Sequence, residues 1–285
     1  MKLVKFMLLG QERYGRLDGA TIDVLPEAFD PWAGSNFKAC HHEAAVQTLP
    51  IDELSFLPPM KSTGKIVCVG LNYRDHAAEG GHAIPETPAI FLRLAQSVVG
   101  HGENLLKPAE SDRFDYEAEL AVVIGKQTRR AAAETALDAV FGYTCFNDGS
   151  LRDYQRRSAQ WTLGKNFDRS GALGPAIITA DSLPPGANNL SVCCRLNGKT
   201  MQNGNTEEMI FSVATIIAAI SEVMTLEPGD VICTGTPAGV GYARKPAVFM
   251  QPGDICEIEI EGIGILRNAI AADENHQNQG DEQQL

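Results

Sequence analysis

An α+β fold is predicted from three features of the sequence. Short strand-like runs bounded by Gly and Pro turns recur along the whole chain. Helical periodicity is confined to few places, the longest being Met209, Ile210, Val213, Ile216, Ile217, Ile220 and Val223. The run Leu120–Val123 continues to Ile124 without a polar interruption, as a strand covered on both faces does.

Residues 1–60 read as a small N-terminal α/β unit. Strands are expected at 2–9, 13–18 and 21–24, with a turn at Asp18-Gly19. Leu57-Pro58-Pro59 reads as a linker into a main domain over residues 61–271, and 272–285 as a flexible acidic tail. His41 and His42 are adjacent, so regular structure points them in different directions and they make a poor metal pair.

The main domain opens with a buried-type strand at 65–70. It is followed by Asn72-Tyr73-Arg74-Asp75-His76-Ala77-Ala78-Glu79-Gly80-Gly81, where His76 and Glu79 share one face of a helical turn that two glycines end. An exposed turn carrying an incidental His–Glu pair would look the same. Residues 89–93 are strand-like, 131–139 read as a helix, and 140–146 as a strand ending at Asn147-Asp148. Residues 151–157 can form a helical turn that puts Arg152 and Gln155 on one face. Asn205-Thr206-Glu207-Glu208 is a capping signature leading into the periodic helix.

The chemistry concentrates in residues 114–124. Glu117 and Glu119 stand two apart in a strand-like run and so face the same side. Two anions about 5–7 Å apart at a strand edge repel unless a cation or a proton compensates them. A hard divalent cation with oxygen ligands does so. Two solvated glutamates on an exposed strand are the plainer alternative.

Several function classes are excluded or disfavoured. A formal net charge of −12 argues against a nucleic-acid partner or an anionic membrane surface. No apolar run is long enough for a membrane span, and the N-terminal apolar stretch is too short for a signal peptide, so a cytoplasmic location is expected. The seven cysteines contain no C-x-x-C. Gly125-Lys126 and Gly164-Lys165 lack the earlier glycine of a P-loop, since Leu120 and Ala159 occupy its place, and no G-x-G-x-x-G occurs.

Taken in order, GLNYRDHAAE, YEAELAVVIG, NDGSLRDYQ, LGKNFD, CTGTPAGVG and PGDICEIEIEGIGILRN resemble the fumarylacetoacetate hydrolase family over roughly residues 64–270. The resemblance implies a mixed β-roll with flanking helices, usually a homodimer, with Mg²⁺ or Mn²⁺ at the site. By motif, Glu117, Glu119 and Asp148 are similar to the family's metal ligands, and Arg152 and Gln155 to its substrate-contacting pair. Lys165 is similar to its active-site lysine and Thr236 to the threonine that meets the substrate carboxylate. His76 and Glu79 match the dyad of the acylpyruvase-type members. The extra aspartate ligand of the larger members is not found, which counts against fumarylacetoacetate as substrate.

The activity so implied is metal-dependent hydrolysis of a C–C bond in a 2,4-diketo acid, with a 2-oxo acid as one product. The same site could serve oxaloacetate-type decarboxylation, hydration of a 2-oxo-enoate, or keto–enol isomerisation, because fold and metal do not choose among them. A non-catalytic dimeric binding protein is the alternative of another class. Leu71, Arg74 and the loop at His101 are the expected determinants of substrate choice.

Overall fold

The computed structural model describes residues 1–33, 39–81 and 83–274. Most of the acidic tail expected over 272–285 therefore lies outside the described residues.

Strands dominate. In chain order they are β1 (Lys2–Leu8), β2 (Gln11–Asp18), β3 (Thr21–Val24), β4 (Gln47–Pro50), β5 (Ser55–Leu57), β6 (Ile66–Gly70), β7 (Ala89–Arg93), β8 (Val98–Val99), β9 (Leu105–Lys107) and β10 (Phe114–Asp115). Then follow β11 (Ala118–Ile124), β12 (Val140–Asn147), β13 (Ser150–Leu151), β14 (Gly171–Thr179), β15 (Ser191–Leu196), β16 (Lys199–Asn205), β17 (Val231–Cys233), β18 (Ile255–Ile260) and β19 (Gly264–Ala272). The helices are α1 (Ala39–His42), α2 (Arg74–Glu79), α3 (Arg152–Gln155), α4 (Thr162–Lys165) and α5 (Val213–Val223).

One large sheet has the order β4-β3-β2-β1-β14-β12-β11-β17-β6-β7, with β5 added on β1 and β8 on β14. A second sheet, β16-β15-β18-β19-β9, packs on it, and β10 pairs with β13. The strands of residues 1–60 join the large sheet through β1, where Lys2 pairs with Ile178 and Leu3 with Ile177.

The apolar run of β11 is buried on both faces. Leu120, Val122 and Ile124 enter a core shared with the second sheet (Cys194, Ile258, Leu266) and with α5 (Ile216, Ile217, Ile220). Ala121 and Val123 enter the core on the opposite face with Leu3, Trp32 and Phe141. A polar side chain within this strand would lose its water on either side. The carboxylates therefore sit where the strand begins, at the rim of both cores.

Two expected helices differ from the structure. Residues 131–139 form only a 3-10 turn at Ala136–Ala139. Arg130 just before them is in the left-handed region, φ 56°, and a helix this short has little stability of its own. The expected continuous helix from 206 onward is split. Asn205 caps a 3-10 turn, Thr206–Glu208, with the full capping box. The chain then leaves helical geometry because Asn72 captures it: Ile210 N–H donates to Asn72 O (2.7 Å) and Phe211 N–H to Asn72 Oδ1 (2.7 Å). Ser212 restarts the helix by accepting from Thr215 N–H. All seven cysteines are free thiols, six of them buried, as expected of small hydrophobes.

Candidate active site

Residues 114–124 do not form one unbroken strand. Tyr116 and Glu117 lie between β10 and β11. The gap is closed by Asn147: its Oδ1 accepts Glu117 N–H (3.1 Å), and Asp148 N–H donates to Glu117 O (3.0 Å). This clamp at the end of β12 brings Asp148 beside the two glutamates. Glu117, Glu119 and Asp148 are all buried, each offering an oxygen within 4.8 Å of the others.

Cations surround two of the three. Lys165 Nζ, at the end of α4, lies 2.7 Å from Glu117 Oε2 and 2.5 Å from Asp148 Oδ2. Arg152 Nη2, on α3, lies 2.6 Å from Glu117 Oε1. Arg93 Nη1, on β7, lies 2.5 Å from Asp148 Oδ1. Burial by itself would raise the Glu117 carboxyl, but Arg152 and Lys165 outweigh it and hold it below the usual carboxylate range. Burial would likewise lower the Lys165 ammonium, and Asp148 and Glu117 raise it instead.

Glu119 is different. Burial, reinforced by the charges of Asp148 and Glu117, pushes its carboxyl well above the usual range. Its hydrogen bond is from Gly235 N–H (3.1 Å). Three oxygens from hard ligands in reach of one point, one of them short of positive charge, fit a divalent cation such as Mg²⁺ or Mn²⁺.

The triad floors a cavity of about 140 Å³. His76, Arg152, Gln155, Lys165 and Thr236 line it together with the three carboxylates. Of the catalytic, substrate-binding and metal-binding residues proposed from sequence, Glu79 alone is not among the lining residues; it stands behind His76, with Oε2 at 3.6 Å from His76 Nδ1. Gly239 N–H donates to both Glu79 oxygens at 3.1 Å, and Ala238 N–H to Asp75 (3.3 Å), so α2 is tied to the loop after β17. Burial opposes ionisation of Glu79, but its contacts with His76 and Gly239 prevail and lower its carboxyl. Leu71 lines the cavity; Arg74 and His101 are not among the lining residues. His41 and His42, on α1, are exposed and belong to no metal-binding group found among the described residues.

Two glycines shape this site. Gly235 has φ +96°, and a Cβ there would stand 2.8 Å from that of Asn72. A Cβ on Gly164 would stand 2.4 Å from Gln155 N. The Gly164-Lys165 pair that resembled the end of a P-loop is thus a close approach of α4 to α3 that delivers the lysine to the carboxylates.

Sequence reasoning missed the residues that hold the cavity's polar groups in place. Asp115, buried, accepts from Arg152 Nε (2.8 Å), Gly241 N–H (2.7 Å) and Tyr242 N–H (2.9 Å). Gln202 donates to Thr236 Oγ1 (2.7 Å) and to Pro237 O (2.8 Å), and accepts from Ala118 N–H (2.9 Å). Arg93 also donates to Gly149 O (3.0 Å) and to Ser170 Oγ (2.7 Å). Tyr242, Phe91 and Trp161 line the cavity, the last two in edge contact at 5.4 Å.

An α+β scaffold thus brings a buried carboxylate triad that could hold a divalent cation into the lining of one cavity. The family model described as fumarylacetoacetate (FAA) hydrolase, C-terminal, matches residues 65–271, and the chain belongs to that family. Oxaloacetate tautomerase FAHD2A, mitochondrial, from Bos taurus is 46% identical over 224 residues, covering 78% of this chain and 71% of the relative. Its Homo sapiens counterpart is 45% identical over 229 residues, covering 80% and 73%. Among solved structures, a fumarylacetoacetate hydrolase from psychrophilic Exiguobacterium antarcticum is 36% identical with a TM-score of 0.83, covering 96% of this chain and 100% of that one. A 2-hydroxyhepta-2,4-diene-1,7-dioate isomerase from Mycobacterium marinum is 33% identical with a TM-score of 0.81, covering 96% and 99%. The two tautomerases are named as mitochondrial, in contrast to the cytoplasmic location expected for this chain. Among the described residues no helix is long and apolar enough to cross a membrane.

Proposed function

We propose that this enzyme catalyses keto–enol isomerisation of a 2-oxo acid of the oxaloacetate type, with one Mg²⁺ or Mn²⁺ held by Glu117, Glu119 and Asp148. The carrying observation is that one small cavity is lined both by His76, an acid–base group, and by the carboxylate triad. The tautomerase names of relatives at 45–46% identity favour isomerisation over the C–C hydrolysis first expected.

When bound, the cation supplies Lewis-acid stabilisation of negative charge on the 2-oxo oxygen. Arg152 and Gln155, joined by a 3.0 Å hydrogen bond, orient the substrate carboxylate, and Thr236, held by Gln202, gives it a further hydroxyl donor. Lys165 adds positive charge beside the reacting oxygen. His76 carries the proton at C3: in the enol-to-keto direction a C–H bond forms there as the enol O–H bond breaks, and the reverse holds for enolisation. No water, oxidant or leaving group is consumed. Glu79 faces Nδ1 and so presents Nε2 to the cavity.

C–C hydrolysis of a 2,4-diketo acid is the second reading, favoured by the His76–Glu79 pair, which could equally activate a water. An ultraviolet assay with Mg²⁺ on enol-oxaloacetate and on a panel of acylpyruvates separates the two. Rapid ketonisation of oxaloacetate with slow acylpyruvate cleavage is expected, and the opposite order would refute the isomerase reading. The homodimer is proposed on the family resemblance, with light scattering as its check.

A further inference from the structure

Arg156 lies at the mouth of the cavity and has no part in the chemistry above. It follows α3 and stands four residues after Arg152, so both project from one side of that turn. The guanidinium carbon of each lies 4.6 Å from the centroid of the Tyr242 ring. The Tyr242 backbone is held beside Arg152, because Asp115 Oδ2 accepts its N–H at 2.9 Å as well as Arg152 Nε at 2.8 Å. The two arginines thus share one aromatic platform.

Their charges are not equivalent. Arg152 is buried and balanced by Asp115 and Glu117. Arg156 is exposed and forms no ion pair with a carboxylate among the described residues. Apolar side chains, Val69, Leu71, Phe91 and Trp161, also line the cavity. In a chain of net charge −12, an arginine held against a ring at the entrance of an acid-floored cavity is a receptor for an anion.

We propose that Arg156, on the Tyr242 platform, binds the second carboxylate of a dicarboxylic 2-oxo acid and so selects dicarboxylic over monocarboxylic substrates. This rests on the 2-oxo acid reading above and specifies the substrate class. The carboxylate next to the keto group is engaged deep in the cavity, and the one at the far end of the molecule reaches the mouth. Arginine suits the task because its planar fork can make two parallel bonds to a carboxylate.

The test is calorimetric titration of the Mg²⁺-loaded protein with malate and with lactate. These share the 2-hydroxy acid head, neither can tautomerise, and only malate has a distal carboxylate. The wild-type protein is expected to prefer malate. Arg156→Gln should lower malate affinity about 10- to 100-fold, the share of one charged hydrogen-bonded pair, and leave the affinity for lactate nearly unchanged. Arg157→Gln is the control, since Arg157 packs on the Tyr154 ring and does not line the cavity. It should preserve the preference. A wild-type protein without preference for malate, or equal loss for both ligands in Arg156→Gln, overturns the proposal. Should the wild type fail to ketonise oxaloacetate while Arg156 still carries the malate preference, the reaction reading fails and the subsite stands.

Discussion

Replacing Arg93 by Met tests the electrostatic account of the site without touching a residue that lines it. The Arg93 side chain is 0% exposed. Its guanidinium contacts Asp148 Oδ1 at 2.5 Å, Gly149 O at 3.0 Å, Ser170 Oγ at 2.7 Å and Ser97 Oγ at 3.2 Å. Methionine fills much of the space but leaves the Asp148 carboxylate buried with one positive partner fewer. Breaking a buried pair in this way costs about 3–5 kcal/mol, chiefly the desolvation of the stranded charge. Lys165 remains 2.5 Å from Asp148, which places the expected loss at the lower end, about 3 kcal/mol. For a chain of this size that is a fall in Tm of about 6 °C, measurable by scanning calorimetry in chelator. Arg93→Lys keeps the charge and loses the fork, so it should fall between the two. If Arg93→Met unfolds within about 1 kcal/mol of the wild type, the counter-ion role assigned to Arg93 is wrong.

Three further outcomes are expected. Chelation should abolish activity and added Mg²⁺ restore it, while Glu119→Gln should give no measurable Mg²⁺ binding by calorimetry; full binding in that variant would remove Glu119 from the ligand set. His76→Ala should slow oxaloacetate ketonisation about 10²–10⁴-fold with Mg²⁺ binding intact, and an unchanged rate would return His76 to an incidental place on α2. Burial, followed by the charge of Arg267, lowers the His101 imidazole below its usual value. The unfolded chain therefore takes up that proton more readily, so the contribution of His101 to stability is present above about pH 6.5 and is lost as pH falls toward the folded value. His101→Gln should shift the acid-unfolding midpoint to lower pH, and a shift to higher pH would contradict this sign.

The parts of the site legible from residue spacing share one property, that the interacting residues are close along the chain; Asp148, Lys165 and Thr236 were reached only through the family resemblance. Glu117 and Glu119 are two apart, His76 and Glu79 three apart, Arg152 and Gln155 three apart, and local periodicity places each pair on one side. Even the α5 periodicity gave the buried face, Ile216, Ile217 and Ile220, though not where the helix starts. Its start was set from a distance, by Asn72 drawing Ile210 and Phe211 out of helical geometry.

The illegible parts are the counter-ions and supports, and these come from far away in sequence. Arg93 meets Asp148 across 55 positions, Arg152 meets Asp115 across 37, and Asp115 meets Gly241 across 126. Nothing at Arg93 distinguishes it from an arginine ending an ordinary strand; β11, β17 and β6 stand between β7 and β12 in the sheet order, and only the folded structure brings its side chain to Asp148 beyond the end of β12. The division has a physical cause. Two neighbouring carboxylates can be written into one short stretch, but the third carboxylate and the positive charge that makes their burial tolerable must approach from other directions, and the chain reaches those directions only through the fold. In this enzyme the approach comes from three elements, β7, α3 and α4, which together serve Glu117 and Asp148. Glu119 receives only the Gly235 amide and the more distant field of Lys165. The protein therefore neutralises its own site incompletely, and the shortfall lies on the carboxylate to which an added divalent cation would be most strongly drawn.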